Sequence, residues 1–131
     1  MTGLDTNVIV RLLTQDDPAQ AGRARKALEK LRDRGEPAWI GVIVICEVVW
    51  VLKARYKFVR AEIAGALRQL LHADPFIVEE AEIVGRALDR WEAGRGDLSD
   101  YLIGIRNEDA GCQVTLTFDR SLKGEPGFAE P

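Results

Sequence analysis

The side chains that could do chemistry in this chain are carboxylates, and several of them stand at junctions. Asp5 follows the short apolar start Met1 to Leu4, and Asp119 follows the run Val114 to Phe118. If both runs are strands of an open α/β sheet, both acids lie outside the carboxyl ends of strands, where such sheets bind ligands. By local rules each is equally a helix-capping or turn aspartate. Glu47 is the only charged residue between Pro37 and Lys53, inside Ile45-Cys46-Glu47-Val48-Val49-Trp50. A glutamate is seldom buried without a partner, because burial penalises its charged form. A bound cation, a salt bridge to a nearby arginine or a narrow exposed stripe on a helix would each remove that cost. Asp97 and Asp100 open a helix after Gly96. Three residues apart, they form a capping-box-like pair and also share one helix face. Gly104 falls on that face and leaves room for something to approach.

Carboxylates gathered at one sheet edge repel each other, and such a cluster persists most easily around a divalent cation. Hard oxygen ligands suit Mg²⁺ or Mn²⁺ rather than zinc. A cation held this way can activate water and stabilise an in-line phosphoryl displacement. That chemistry needs no thiol, imidazole or covalent nucleophile, which fits the inventory. His72 is the one histidine and has no visible nucleophile partner; it reads as a surface residue at a helix end. Cys46 and Cys112 both sit in apolar stretches and read as buried free thiols. Two cysteines and one histidine are too few, at these spacings, for a zinc site or a disulfide framework.

The elements that must position these acids follow from periodicity and breakers. Val8, Ile9, Leu12 and Leu13 repeat with helical spacing, and Asp16-Asp17-Pro18 ends that helix. Residues 19–34 form a second helix with Ala24, Leu28 and Leu31 inward, closed by Gly35 and Pro37. Ala38-Trp39-Ile40 is a strand. The β-branched run Val42 to Tyr56 is ambiguous by period and reads, by its length, as a buried helix. Two more helices, Phe58 to Leu71 and Glu79 to Trp91, flank a short strand Phe76-Ile77-Val78. Gly94 and Gly96 mark a loop. Leu98, Tyr101, Leu102 and Ile105 give another helical face, which Gly111 stops. Gln113 to Phe118 is a strand, and the Gly/Pro-rich tail from Gly124 is weakly structured. Strands alternating with helices predict a parallel sheet covered on both faces.

At 131 residues, 47% hydrophobic and 30% charged, the chain suits a single globular domain, residues 1–131. There is no basic segment ahead of an apolar stretch at the N-terminus, and the longest uncharged run is too short to span a bilayer, so a soluble cytoplasmic protein without a membrane partner is expected.

Taken in order, Leu4-Asp5-Thr6-Asn7-Val8-Ile9-Val10-Arg11, Glu47 with Val48-Val49-Trp50-Val51-Leu52, Asp97-Leu98-Ser99-Asp100-Tyr101-Leu102-Ile103-Gly104 and Thr117-Phe118-Asp119 resemble the motifs of the PIN-domain family, in particular its VapC-type toxins. Each motif alone is weak; the ordered set is fairly specific and spans nearly the whole chain. The resemblance implies a three-layer α/β/α fold with a parallel sheet of four to five strands. It implies Mg²⁺- or Mn²⁺-dependent endoribonuclease activity, often on tRNA or rRNA. Asp5, Glu47, Asp100 and Asp119 become the catalytic and metal-ligating acids, with Asp97 an additional acid of this subgroup. Asn7 and Thr117 fall at polar positions near the metal, placing substrate or water. A VapB-type antitoxin and a homodimer are implied as well. The chain departs from the pattern twice. Val42-Ile43 stands where the Glu47 helix usually begins with a small polar residue. The short C-terminus leaves a last strand near Phe128 frayed or absent.

Charge is distributed unevenly around a formal net value of -3. That sum gives no overall basic footprint for nucleic acid, so any such contact is local. Lys53, Arg55, Lys57 and Arg60 come with no acid among them, and residues 20–34 hold six Lys/Arg against Glu29 and Asp33. Residues 79–109 hold nine acids against four Arg. Basic stretches of this kind track phosphates or are ordinary solvated helix faces. Trp50 and Tyr56 are core residues or line an apolar groove for an antitoxin helix. Two other readings remain beside the nuclease. A receiver-like signalling domain also gathers carboxylates around Mg²⁺, but Asp16-Asp17 follows a helix and no lysine directly follows Val114 to Phe118. A PIN scaffold without catalysis is the third, and the intact acidic set argues against it.

Overall fold

A computed structural model describes residues 1–131. The chain forms β1 (Thr2–Gly3), α1 (Thr6–Leu13), α2 (Pro18–Asp33), β2 (Ala38–Ile40), α3 (Val42–Ala54), α4 (Arg60–His72), β3 (Phe76–Val78), α5 (Ala81–Ala93), α6 (Leu98–Asp109), β4 (Thr115–Leu116), a 3₁₀ turn (Arg120–Leu122) and β5 (Phe128–Ala129). It divides into two compact units, Met1–Ala81 and Glu82–Pro131.

The first unit is built on a parallel three-stranded sheet in the order β1-β2-β3, with Ala38 opposite Thr2 and Phe76. Ala38 and Ile40 are fully buried. Helix α1 packs against α2 and α3, and its Ile9 and Val10 are buried. Helix α2 starts where its sequence says: Pro18 supplies a fixed φ at the first position, and the Asp17 carboxylate accepts the Gln20 N–H at 3.0 Å. Its inner face is Ala21, Ala24, Leu28 and Leu31.

Helix α3 corrects the sequence reading. Val42, Ile45, Val48, Val49 and Leu52 are buried, but Ile43 and Trp50 are 73% and 70% exposed. Ile43, Glu47 and Trp50 form an outward stripe at helical spacing, so the helix has two faces rather than one buried surface. Its start is well defined despite the missing polar cap. Gly41 occupies the cap position, and Glu79 from the end of β3 accepts the Val42 N–H at 2.8 Å. Tyr56 is anchored by polar contacts, its hydroxyl donating to Asp16 and accepting from Arg11.

In the second unit, β4 and β5 pair in parallel, Thr115 opposite Phe128 and Leu116 opposite Ala129. The α/β class holds, but the single sheet of four to five strands does not: the strands fall into a three-stranded and a two-stranded sheet. Only Thr115 and Leu116 of the expected strand Gln113 to Phe118 are paired, and Leu116 and Phe118 are 61% and 88% exposed. The last strand is present, because the Phe128 ring has a seat. A Cβ on Gly104 would lie 2.8 Å from Phe128 Cζ, so the missing side chain makes room for that ring and not for a ligand. Cys112 is exposed and Cys46 half-buried, which corrects the expectation of two buried thiols. His72 is the exposed last residue of α4, as expected.

Candidate functional site

The acids singled out by the sequence fall in both units, and each half stands on its own elements. In the first unit Asp5 caps α1. Its carboxylate accepts the Asn7 N–H at 2.7 Å, which leaves the second oxygen free of that bond. Asp5 and Asn7 are both exposed at the start of α1, the helix packed on α3. Glu47 lies on the outward stripe of α3 and is exposed. The sequence argument that burial would force a cation onto Glu47 therefore fails, because water already solvates the carboxylate.

In the second unit Asp97, Asp100 and Asp119 form an electrostatically linked group. Asp97 precedes α6 in extended conformation, and its N–H donates to Asp100 Oδ2 at 2.9 Å. Asp100 is half-buried at the third position of the helix. Burial is the main reason its carboxyl is held above the usual range, and the charges of Asp97 and Asp119 push the same way. The Asp97 N–H opposes them and does not win. Asp119 is pulled the other way: the Ser121 hydroxyl, at 2.7 Å, and the Ser121 N–H, at 2.9 Å, hold its carboxyl below the usual range. Thr117 fixes the same turn, its hydroxyl oxygen accepting the Asp119 N–H at 3.0 Å. The capping readings of Asp5, Asp100 and Asp119 are all borne out, and a capping carboxylate keeps lone pairs for another partner.

The loop carrying Asp97 is held by residues that sequence reasoning left in the core or the tail. The buried Tyr101 hydroxyl accepts the Gly96 N–H at 3.0 Å and donates to Glu125 at 2.9 Å. Glu125 also accepts the Arg95 N–H at 3.2 Å. A side chain on Gly96 would have to displace its neighbours: a Cβ there would lie 2.5 Å from Leu122 Cδ2 and 3.2 Å from Asp100 Oδ2. The one sequence signal for this clamp was a tyrosine on the inward face of α6, whose hydroxyl needs a partner when buried.

Within neither unit do three or more Asp, Glu, His or Cys side chains stand close enough to hold a metal ion. The donor chemistry of the second unit nevertheless fits a hard divalent cation. All three groups are carboxylates, the charges of Asp97 and Asp119 raise the cost of ionising Asp100, and no arginine or lysine is among the influences on Asp100.

The PIN-domain family model matches residues 4–124. The chain belongs to the PIN-domain family. It is also similar to the VapC ribonuclease of Aquifex aeolicus (strain VF5), 25% identical over 120 residues that cover 92% of this chain and 88% of that protein. The receiver-like alternative loses its acceptor as well, since Asp16 is engaged by the Tyr56 and Thr14 hydroxyls. No helix is long and apolar enough to cross a membrane.

Proposed function

We propose that this protein is a metal-dependent endoribonuclease, the toxin of a type II toxin–antitoxin pair, in which residues 1–131 act as one nuclease domain. The observation that carries this reading is the carboxylate group Asp97, Asp100 and Asp119, with Asp100 half-buried among like charges. Its support is the family match over nearly the whole chain and the likeness to a VapC ribonuclease.

Asp5, Glu47, Asp100 and Asp119 would hold Mg²⁺ or Mn²⁺, with Asp100 the principal ligand and Asp97 an additional acid. Bound by these acids, such a cation would supply Lewis acidity toward the scissile phosphate and toward a water nucleophile. The protein's own residues do the rest. Asp119, kept ionised by Ser121, offers a carboxylate at any physiological pH. Asp100 is half-withdrawn from water, so its charge is poorly satisfied until a cation or proton arrives. Asn7 and Thr117 present polar side chains beside Asp5 and Asp119 for substrate or water. The Tyr101–Glu125 clamp keeps the Gly96–Asp97 turn in place without touching substrate.

RNA, of the tRNA or rRNA kind, is the substrate, a VapB-type antitoxin and a second copy of the chain are the partners, and the cytoplasm is the place of action. The outward Ile43 and Trp50 support protein partners, since large apolar side chains so exposed are apt to be covered. The test is direct. Purified protein should cut RNA with Mn²⁺ or Mg²⁺ and stop with EDTA, with Asp119→Asn from the same preparation scheme as the contaminant control. Undiminished cleavage in EDTA, or equal cleavage by Asp119→Asn, sinks the mechanism. Induced expression should arrest growth, and co-expression of a small neighbouring gene should relieve it.

A further inference from the structure

Helix α2 carries its cations in an order that the composition does not reveal. Arg23, Lys26, Lys30 and Arg34 follow one another at spacings of three, four and four, so they lie along one edge of the helix. All four are exposed, and none is held in an ion pair or a side-chain hydrogen bond. Arg25 and Arg32 lie on the other flank. Both line a cleft against α4 residues, where Arg32 donates to the Asp74 carbonyl at 3.0 and 3.2 Å. Glu29 lines that same cleft. The helix thus carries the bound Arg32 on one flank and the four unpaired cations on the other.

The free edge runs toward Asn7 at the start of α1. Its first member, Arg23, lines a surface groove of about 430 Å³ together with Asn7, Arg11 and Gln20. Asn7 is the residue whose N–H Asp5 accepts, so the groove opens beside Asp5. From Arg23 to Arg34 the edge extends roughly 16 Å at 1.5 Å per residue. The Lys53–Arg60 stretch is a weaker candidate, since Lys53 and Arg60 already take part in other interactions.

We propose that the Arg23–Lys26–Lys30–Arg34 edge is a phosphate-tracking surface, which holds RNA running on from Asp5 and Asn7 along α2. The proposal rests on the nuclease reading for its ligand. Charge decides between occupants: a row of four unpaired cations favours a polyanion, and Leu4 and Val8 line only the groove at its Arg23 end. The chain's net charge of -3 makes this local edge, rather than the whole surface, the source of attraction.

The experiment compares two full-length variants that each remove two positive charges. Lys26→Gln/Lys30→Gln acts on the edge; Arg25→Gln/Arg32→Gln acts on the opposite flank of the same helix. Binding of a fluorescein-labelled single-stranded 20-mer RNA is followed by anisotropy in EDTA across a salt series. Each lost phosphate contact lowers the slope of log K against log salt by about 0.7 for a single strand, so the edge variant should lose about 1.4 and bind on the order of tenfold more weakly at 0.1 M salt. The control pair should leave both unchanged. With Mn²⁺ the edge variant should show a raised KM for a long RNA and an unchanged kcat, at an unchanged melting temperature. Equal slopes and affinities for edge variant and wild type overturn the proposal, even while wild-type cleavage upholds the nuclease. Unchanged RNA binding combined with loss of a co-expressed protein partner overturns it too, and marks the edge as a protein interface. Edge-dependent binding without any wild-type cleavage would uphold the edge and overturn the nuclease.

Discussion

Replacing Asp100 by Asn separates stability from activity at one atom. The change keeps shape and leaves an amide oxygen to accept the Asp97 N–H now bound at 2.9 Å. That bond weakens from charge-assisted to neutral, a loss of about 1 kcal/mol. Against it, the variant sheds a like-charge neighbour three residues away, about 0.2–0.5 kcal/mol, a second one at Asp119, and the cost of half-burying a charge. The raised carboxyl of Asp100 says which side wins: burial and the two acids outweigh the Asp97 N–H. Neutralisation should therefore stabilise the metal-free protein at pH 7. The gain is below about 1 kcal/mol, or up to about 4 °C in Tm for a chain of this size. The sign can be checked by pH. A raised native carboxyl favours folding while protonated, and that advantage is lost as pH rises through its native value. The lead of Asp100→Asn over wild type should thus be present at pH 7 and vanish below about pH 4. Metal-dependent RNA cleavage should nevertheless fall by orders of magnitude. Asp97→Asn should be milder, since Asn serves well at an N-cap. Thermal melting in EDTA from pH 3.5 to 8, paired with Mn²⁺-dependent cleavage, reads both effects. A variant that melts lower than wild type at pH 7 refutes the electrostatic reasoning. Wild-type cleavage by Asp100→Asn with a dead Asp97→Asn reverses the assigned roles.

Gly104→Ala should destabilise by about 1–3 kcal/mol, because its methyl would meet the Phe128 ring; Gly104→Ala/Phe128→Leu should recover part of that loss in a denaturant titration. Tyr101→Phe should cost about 1–3 kcal/mol by leaving the Gly96 N–H without its buried acceptor, and kcat should fall more than KM changes as the Asp97 turn loosens. Glu108 is held below the usual carboxyl range chiefly by the two-bond pairing with Arg90, at 3.0 Å each. Its contribution is present at neutral pH and lost as pH falls below about 4, so Glu108→Gln should flatten the acid limb of the stability curve while changing stability at pH 7 by less than about 1 kcal/mol.

The amino-acid sequence by itself determined the helices, the starts of α2 and α6 and the order of the acids. These are short-range matters. Pro18 after Asp17, the spacing of Ala24, Leu28 and Leu31, and the Asp97–Asp100 pair act within a turn or two, so nearest-neighbour rules are enough to read them. Motif order likewise led to the family without any structure. What the sequence left open depended on partners far along the chain. Whether Glu47 was buried turned on which face of α3 its neighbours cover, and a helix apolar nearly all round does not announce its outer side. The start of α3 is secured by Glu79, thirty-seven residues away, which no local pattern contains. Gly104 looked like an opening because an absent side chain has no sequence-level label for what fills the space; only the packing of Phe128 does. The free cations of α2 and the bound Arg32 are indistinguishable as letters. Their difference is the Asp74 carbonyl, which the fold brings to one flank of the helix and not to the other.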